Sequence, residues 1–253
     1  MIDVEGIYNQ YLEHLNTEAD KKYSKYKGFF RASSAGQCFR KQAYWLSDEV
    51  EKPFDNRVKR LLRLGQIIHS DFEESLKWYY KQLDDKSVTL YTEHRIEIPN
   101  LNVIGSLDMA VVEGDIEKGL YSLYIHDLKS AASFKWRKQF GHKKNRDLNP
   151  SVNYQLQLAT YALGLKEQLE VGPTSMYLTW YNKDNSSMKS VEVDIDYMDA
   201  AQEYWENLIT KLNIVNNDPE RIIPGDDNNT PVYPSWECNY CNFSDVCPSP
   251  YKK

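Results

Sequence analysis

The sequence lacks several features that would place it in a special class of protein. No hydrophobic run approaches eighteen residues, which argues against a transmembrane helix. The opening stretch MIDVEGIYNQYLEHLN has neither a basic nor an apolar region, so it does not predict a signal peptide. Internal repeats and low-complexity segments are also absent from the sequence. We therefore expect a globular protein of the cytoplasm with no membrane partner.

Cysteine is scarce, with four residues in a chain of 253. Thiols stay reduced in the cytoplasm, which favours metal ligation or burial over disulfides. Cys238, Cys241 and Cys247 lie close together near the end of the chain, whereas Cys38 lies far upstream. Four thiolates can hold either Zn²⁺ or an iron–sulfur cluster. A zinc ribbon normally has two CxxC pairs and Cys38 stands alone, but zinc, a cluster and unligated cysteines all stay open from the residues themselves.

Positive charge is not in excess over the whole chain, because the formal net charge is -6. This balance gives no general attraction to nucleic acid. Locally the distribution differs, since residues 129–147 contain seven Lys and Arg residues, one Asp and three aromatic residues. The segment is either a solvated basic loop or a surface that follows a nucleic-acid backbone and stacks on bases.

The order of hydrophobic patterns predicts an α/β (α+β) fold. Hydrophobic content of 41% and charged content of 27% are typical of a globular domain. Helices are predicted at 4–15, 57–83, 149–169 and 197–215, and strands at 87–98, 101–112, 120–129, 173–183 and 189–196. The turn at 113–119 is expected to join two of these strands as a hairpin. Helices that alternate with strands in this order indicate a mixed central sheet flanked by helices.

Two acids and a lysine occur where the predicted hairpin strands run side by side. Asp127 and Lys129 are two apart on a strand and therefore point to the same face. Asp108 is expected near them on the neighbouring strand. Two carboxylates at one place suit a hard cation such as Mg²⁺ or Mn²⁺, and a nearby lysine could orient a water molecule. The alternative is an exposed Asp–Lys ion pair worth less than about 1 kcal/mol.

Three further side chains are candidates with structural alternatives. His69 lies in the long helix predicted at 57–83 and is either a metal ligand or a structural histidine. Gln157 and Tyr161 are four residues apart and share a helix face. They either contact a phosphate group or lie at the boundary of the core.

Taken in chain order, these motifs resemble those of the PD-(D/E)XK nucleases of the RecB type. The motifs are Gly65 to His69, Gly105 to Asp108, Asp127–Leu128–Lys129 and Gln157 to Tyr161. The core order of that superfamily, helix, three strands, helix and strand, is similar to the predicted order over 57–182. One cysteine before this region and a CxxCxxxxxC group after it resemble the iron–sulfur branch, which includes CRISPR-associated adaptation nucleases, AddB-type subunits and stand-alone exonucleases.

The resemblance implies specific roles for these residues. His69, Asp108 and Asp127, with the Leu128 carbonyl, would hold Mn²⁺ or Mg²⁺, and Lys129 would assist the attacking water. Gln157 and Tyr161 would stabilise the site or touch DNA. Many relatives have Glu where this chain has Asp127, which shortens that ligand by one methylene group. The residues expected to bind DNA in the basic segment are Lys135, Trp136, Arg137, Lys138, Lys143, Lys144 and Arg146.

The resemblance also implies a 4Fe–4S cluster held by Cys38, Cys238, Cys241 and Cys247. A link from Cys38 to Cys238 would close a loop of about 200 residues and restrict the unfolded chain by roughly 5 kcal/mol. We therefore expect one structural unit with three parts: an N-terminal helical region (1–56), a restriction-endonuclease-like nuclease core (57–195) and a C-terminal helix with the cysteine tail (196–253).

The leading hypothesis is a metal-dependent DNA nuclease of a bacterial, archaeal or phage-infected cell. It is expected to act as an exonuclease on single strands or DNA ends, in recombination or repair, phage DNA processing or CRISPR adaptation. A second hypothesis is a non-cleaving iron–sulfur subunit that binds DNA or a partner protein in such a complex. A third is a zinc-stabilised interaction protein.

Overall fold

The computed structural model describes residues 2–47, 49, 51–83, 85–142, 151–222, 236–239 and 241–247. In this part of the chain the helices are α1 (Val4–Tyr23), α2 (Phe39–Leu46), α3 (Asn56–Leu83), α4 (Ser133–Phe140), α5 (Val152–Leu169), α6 (Tyr197–Ile214) and the single turn α7 (Trp236–Asn239). The strands are β1 (Phe30–Arg31), β2 (Val88–Ile98), β3 (Val103–Asp115), β4 (Leu120–Ala131), β5 (Ser175–Asn182) and β6 (Met188–Val193). No helix in these ranges is both long enough and apolar enough to cross a bilayer.

The described strands form one mixed sheet. Its order is β1-β3-β4-β5-β6, with β2 paired to β3. Strands β2, β3 and β4 are antiparallel neighbours, β4 and β5 are parallel, and β5 and β6 are antiparallel. The parallel pair requires a crossover connection, and helices α4 and α5 supply it. The predicted mixed α/β sheet flanked by helices is confirmed, as is the hairpin between β3 and β4.

Strand β3 has a split along one of its edges. Strand β2 pairs with one edge of β3 from Val103 to Glu113, with an interruption at Glu93 and Asp108. On the other edge β1 pairs at Val103 and Ile104, and β4 pairs from Met109 to Asp115. Among the described strands, none pairs with this edge between 105 and 108. A split of this kind exposes backbone and side chains at the centre of a sheet, and Asp108 lies within it.

Helix α5 forms the centre of the hydrophobic core. Leu158, Ala162 and Leu165 are fully enclosed, because the sheet lies on one side of α5 and helix α6 lies on the other. Strand β5 alternates between buried and partly exposed residues, as expected for a strand with one face on a core, and Trp180 is among its buried residues. The opposite face of the sheet carries α3, which has no fully buried residue. The two faces of the sheet are therefore covered unequally.

The region before α3 contributes to the sheet and the core, which its sequence did not indicate. Strand β1 is only two residues long, yet Phe30 is buried and packs on Trp205 with ring centroids 5.6 Å apart. Helix α2 lies in the expected N-terminal helical region (1–56), whereas helix α4 was not predicted. Helix α4 occupies eight residues of the basic segment, so that segment is helical over Ser133–Phe140. The three-part division of the chain stays a prediction.

Candidate active site

The two predicted acids meet at the split in β3. Asp108 and Asp127 occupy opposing positions in the register that pairs Met109 with His126. The strands have separated at this point, and the Leu128 N–H donates to Asp108 Oδ2 across the gap at 2.7 Å. The structure thus places the two carboxyl groups near enough for the charge of Asp108 to act on Asp127, and it shows Leu128 touching Asp108 through its amide N–H.

Asp127 and Lys129 form a buried ion pair on the α5 face of β4. Their side chains are 1% and 14% exposed, and Lys129 Nζ lies 2.5 Å from Asp127 Oδ2. The contact is short and charge-assisted, and Lys129 acts on the Asp127 carboxyl group through both its charge and a hydrogen bond. Lys129 Nζ also donates to Gln157 Oε1 at 3.0 Å. The ammonium group thus has one partner on β4 and another on α5.

Helix α5 supplies the predicted Gln157 and Tyr161. Gln157 Nε2 donates to the Tyr161 hydroxyl at 2.8 Å and lies 3.5 Å from Asp127 Oδ1. Gly105 explains how this helix comes so close to β3, because a Cβ there would lie 2.8 Å from the Tyr161 ring. The amide side chain thus connects Lys129, Asp127 and Tyr161 in one hydrogen-bonded group.

His69 approaches the acids from the other face of the sheet. Its Nδ1 lies 3.5 Å from Asp108 Oδ2. Burial alone would lower the pKa of His69, but the hydrogen bond and negative charge of Asp108 outweigh burial and raise it. Gly65 lies one turn earlier in α3, where a Cβ would be 3.3 Å from Ser130 Oγ of β4. The glycine thus lets α3 lie close to the strand that carries Asp127.

The pKa values of the two carboxyl groups are shifted in opposite directions. Burial raises the pKa of Asp127 to about 7, although the Lys129 charge acts against this. Burial would also raise the pKa of Asp108, but hydrogen bonding to His69 and the charge of Lys129 lower it overall. For Lys129, burial favours the neutral amine, yet the two aspartates raise its pKa. Paired carboxyl groups held in different states are typical of functional sites.

The side chains of His69, Asp108 and Asp127 are of the chemical types that bind a divalent metal. Carboxylate oxygens are ligands that suit Mg²⁺ and Mn²⁺, and the imidazole of His69, a common metal ligand, lies 3.5 Å from the Asp108 carboxylate. Among the described residues no three His, Cys, Asp or Glu side chains already surround a common point. Binding of an ion by His69, Asp108 and Asp127 would therefore include side-chain movement.

Three residues that the sequence did not single out lie at the same site. Glu73 follows His69 by one helical turn and lines a cavity of about 440 Å³ with His69 and Glu93. Glu93 lies between Thr92 and His94, whose partners Met109 and Leu107 flank Asp108, and it has a positive φ of 47°, which is rare for a residue other than glycine. Lys129 Nζ lies 4.9 Å from the centre of the Tyr154 ring. The four-residue spacing from His69 could have indicated Glu73, whereas Glu93 depends on a backbone conformation that its sequence does not signal.

The predicted DNA-binding segment is described in part. Lys135, Trp136, Arg137 and Lys138 lie on α4, whereas Lys143, Lys144 and Arg146 lie outside the described residues. Trp136 is half-buried, with its ring centroid 4.7 Å from that of Phe140. Phe134 is 67% exposed and was not among the predicted residues. Lys135 and Lys138 lie near the rings of Tyr154 and Phe134 respectively. Phe134 is therefore the more accessible ring for stacking.

The cysteine tail lies against α2 and its flanking loop. The Cys38 N–H donates to Glu237 Oε1 at 3.3 Å, and Arg40 Nη1 lies 3.7 Å from Cys247 Sγ. Burial raises the pKa of the Cys241 thiol. The fold thus brings Cys38 beside the tail that contains the other three cysteines. Within the described residues, however, the sulfurs do not form a closed set of metal ligands.

Comparison with known proteins agrees with this geometry. The family model of the PD-(D/E)XK nuclease superfamily matches residues 29–248. The structure of SSO0001 is similar with a TM-score of 0.54 and 17% identity, covering 96% of both chains. A candidate exonuclease from Eubacterium rectale is similar with a TM-score of 0.50 and 16% identity, covering 79% of this chain and 85% of the other. At these identities the two structures show a shared fold only. No curated protein matches the chain significantly.

The family match extends over most of the chain and includes every motif of the candidate site. The chain therefore belongs to the PD-(D/E)XK nuclease superfamily.

Proposed function

We propose that this member of the PD-(D/E)XK nuclease superfamily is a deoxyribonuclease that hydrolyses phosphodiester bonds with Mg²⁺ or Mn²⁺. The observation that carries the proposal is the group formed at the split in β3 by the partly buried Asp108 and the enclosed pair of Asp127 and Lys129. Burying an ion pair costs free energy. A protein that only binds DNA through polar surface contacts has no need of such a pair. A hydrolytic site has a use for two carboxylates and an ammonium group held together.

Each residue has a defined task in this proposal. A bound divalent ion would polarise a phosphoryl oxygen and lower the pKa of a coordinated water molecule. Asp108, Asp127 and His69 would hold that ion, with the Leu128 carbonyl as a further ligand. Lys129 would orient the attacking water and stabilise charge on the phosphate. Gln157, through its hydrogen bond to Lys129, would fix the direction of the ammonium group.

We assign DNA rather than a small phosphate ester as the substrate because basic and aromatic groups lie beside the site. Helix α4 directly follows β4, so Lys135, Arg137 and Lys138 are only a few residues from Lys129. Cations spaced along a helix suit successive backbone phosphates. The similar protein from E. rectale is named as a candidate exonuclease. Its name supports a nuclease function for this chain, and cleavage from a DNA end is part of the same proposal.

The four cysteines are proposed to hold an iron–sulfur cluster of the 4Fe–4S type. The contact of Glu237 with the Cys38 N–H supports this, since it joins the two segments that carry the ligands. The cluster would have a structural role, because no thiol lies among the candidate catalytic residues. Such a cluster would place the protein in the RecB-like branch, with a cytoplasmic role in recombination or repair, phage DNA processing or CRISPR adaptation.

The decisive experiment uses 5′- and 3′-labelled DNA, single- and double-stranded, with Mg²⁺, Mn²⁺ or EDTA. Shortening of labelled strands that requires metal would support the proposal, and the label that is lost first would give the polarity. Binding without cleavage under every metal condition would favour a non-cleaving binding subunit instead.

The cluster is tested separately on protein purified without oxygen. A brown colour, about four iron atoms and four sulfides per chain, and loss of colour in Cys238→Ser would support the 4Fe–4S assignment. A colourless protein containing one zinc ion would show that the cysteines form a zinc site.

A further inference from the structure

Two polar side chains of α2 lie against the cysteine tail. The helix begins directly after Cys38, whose carbonyl accepts from the Gln42 N–H at 3.1 Å. Arg40 and Tyr44 are four residues apart and therefore share one face of this helix. Both are buried, with 5% and 3% of their surface exposed. Neither belongs to the candidate active site, so their buried polar groups need another explanation.

The guanidinium group of Arg40 joins the tail to the turn that follows α6. Its Nε donates to the Ile222 carbonyl, and its Nη2 donates to the Glu220 carbonyl at 3.3 Å. The third nitrogen, Nη1, lies 3.7 Å from Cys247 Sγ. None of these three partner atoms belongs to a carboxylate. A buried positive charge is unfavourable without an anion, and the Cys247 sulfur supplies that anion when it is a thiolate.

Tyr44 has a buried hydroxyl group with no hydrogen-bond partner among the described residues. Its ring stacks on that of Phe243, with centroids 5.3 Å apart and 22° between the planes. The Cys247 N–H donates to the Phe243 carbonyl at 2.9 Å, so this ring and this cysteine belong to one turn of the tail. Burial, and after it the nearby Cys247, raises the pKa of Tyr44 to about 12. The hydroxyl therefore keeps its proton and is a donor without an acceptor, which is unfavourable.

An iron–sulfur cluster has the chemistry that these two groups lack in a partner. A cluster held by four thiolates is an anion, and its reduction adds one electron and one further negative charge. Hydrogen bonds to sulfur and a nearby positive charge stabilise the reduced state and so raise the reduction potential. Such a cluster forms together with the fold that encloses it, so a donor that solvent does not reach is still available to its sulfur atoms.

We propose that Arg40 and Tyr44 donate hydrogen bonds to the sulfur atoms of the cluster, Arg40 to the Cys247 thiolate and Tyr44 to a sulfur beside it. This inference rests on the proposed cluster and deepens it, because it names the residues that balance the charge of the cluster inside the protein. Helix α2 thus both follows the first ligand, Cys38, and stabilises the last.

The reduction potential of the cluster measures these contacts independently of DNA cleavage. The full chain, purified without oxygen, is titrated with dithionite and mediator dyes, so that each cluster takes one electron, and electron paramagnetic resonance measures the reduced form. Tyr44→Phe removes only the hydroxyl group and keeps the ring that stacks on Phe243. At a fixed applied potential it should lower the ratio of reduced to oxidised cluster about threefold.

Arg40→Gln removes the positive charge and should lower the same ratio about tenfold, which is a potential lower by about 59 mV for one electron. Arg40→Lys keeps the charge and should lower the ratio less. Arg221→Gln, which removes an exposed charge nearby, is the matched control and should change the ratio by less than about twofold. Tyr121→Phe, whose hydroxyl donates to the Gly172 carbonyl, is the control for Tyr44→Phe.

A second measurement separates a hydrogen bond to the cluster from a general loosening of the fold. Electron–nuclear double resonance of the reduced cluster, in H₂O and in D₂O, detects exchangeable protons close to it. The parent and Tyr121→Phe should share a coupling that Tyr44→Phe loses while it keeps its iron. Tyr44→Phe decides the outcome if Arg40→Gln does not retain iron.

The results separate this inference from the proposals on which it rests. A brown parent whose potential and exchangeable coupling are unchanged in Tyr44→Phe, and whose potential is unchanged in Arg40→Gln, would overturn the inference and leave the cluster in place. A colourless parent that contains zinc would overturn both, and iron content distinguishes the two failures. A brown parent with the expected shifts that never cleaves DNA would support the inference and overturn the nuclease proposal alone.

Discussion

The β3–β4 hairpin contains two Asp–Lys ion pairs at its opposite ends, and they differ in their surroundings. At the turn, Asp115 and Lys118 are 41% and 73% exposed, with Nζ and Oδ2 2.6 Å apart. Near the split, Asp127 and Lys129 are 2.5 Å apart but almost fully enclosed. The contact distances are nearly equal, so the difference between the pairs comes from burial.

In the buried pair, the loss of hydration outweighs the effect of the lysine on the pKa of its aspartate. The side-chain hydrogen bond of Lys118 lowers the pKa of Asp115, as in water. At Asp127, loss of hydration outweighs the attraction of Lys129 and raises the pKa to about 7. An exposed pair of this kind contributes little to stability or chemistry, whereas an enclosed pair has a proton that exchanges near neutral pH. This contrast separates the pair that we propose to be catalytic from a surface pair of the same residues.

The largest expected difference between the pairs is in catalysis. Lys129→Ala or Asp127→Ala should reduce DNA cleavage by about 10³-fold or more, since each removes a group that acts on charge in the transition state. Lys118→Ala and Asp115→Ala should change cleavage by less than about twofold. Rates of Mn²⁺-dependent degradation of labelled DNA provide the measurement, with folding checked by circular dichroism. Parent-like activity in either buried variant would refute the catalytic assignment.

The next largest difference is in stability. Lys129→Met leaves Asp127 enclosed without its counter-charge and should lower the free energy of unfolding at pH 8 by about 3 kcal/mol. The double variant Asp127→Asn with Lys129→Met should recover part of this loss, because it removes the uncompensated charge. Lys118→Met should unfold like the parent in urea. Equal losses of stability in Lys129→Met and Lys118→Met would show that burial of the ion pair does not cause the difference.

Metal binding should depend on pH because a proton competes for Asp127. Its pKa of about 7 means that a growing fraction of the carboxyl group is protonated as the pH falls below 7. His69, whose pKa is also raised, must be neutral to bind a metal, so its protonation acts in the same direction. Apparent Mn²⁺ affinity, from thermal shift titrations, should fall about tenfold or more between pH 7 and pH 6. An affinity that does not change over this range would contradict the raised pKa.

The smallest expected effects concern the groups that orient the buried pair. Gln157→Leu removes an acceptor from Lys129 and should lower kcat about tenfold with little change in KM. Tyr161→Phe removes one hydrogen bond to Gln157 and should have a smaller effect. Gln202→Leu, on the exposed surface of α6, is the matched control. An increase in KM alone would instead indicate a direct contact with DNA.

Sequence patterns predicted much of the framework of this site. The helix at 57–83 and the strands around Asp108 and Asp127 follow from hydrophobic periodicity, and the structure confirms them within a few residues. The i, i+2 spacing placed Asp127 and Lys129 on one face, and the four-residue spacing placed Gln157 beside Tyr161. These inferences succeeded because they depend on local geometry alone. Their catalytic roles stay predictions.

Other features could not be predicted because they depend on distant parts of the chain. Strand β1 is too short to give a pattern, and it exists through pairing with β3. Glu93 faces the site through a backbone conformation imposed by its surroundings. A cavity of about 470 Å³ lined by Arg31 and Arg95 likewise combines residues from the first two quarters of the chain with Tyr161 of α5 and Phe243 of the tail.

The sequence by itself determined the order of elements, the spacing of the acid, lysine and amide side chains, and the supply of four cysteines. Only the tertiary structure decided which Asp–Lys pair is buried, and hence which aspartate has a pKa near neutrality. Spacing along the chain fixes the direction of a side chain, but hydration depends on what the rest of the chain places over it. For Asp127, helix α5 excludes the water that Asp115 keeps.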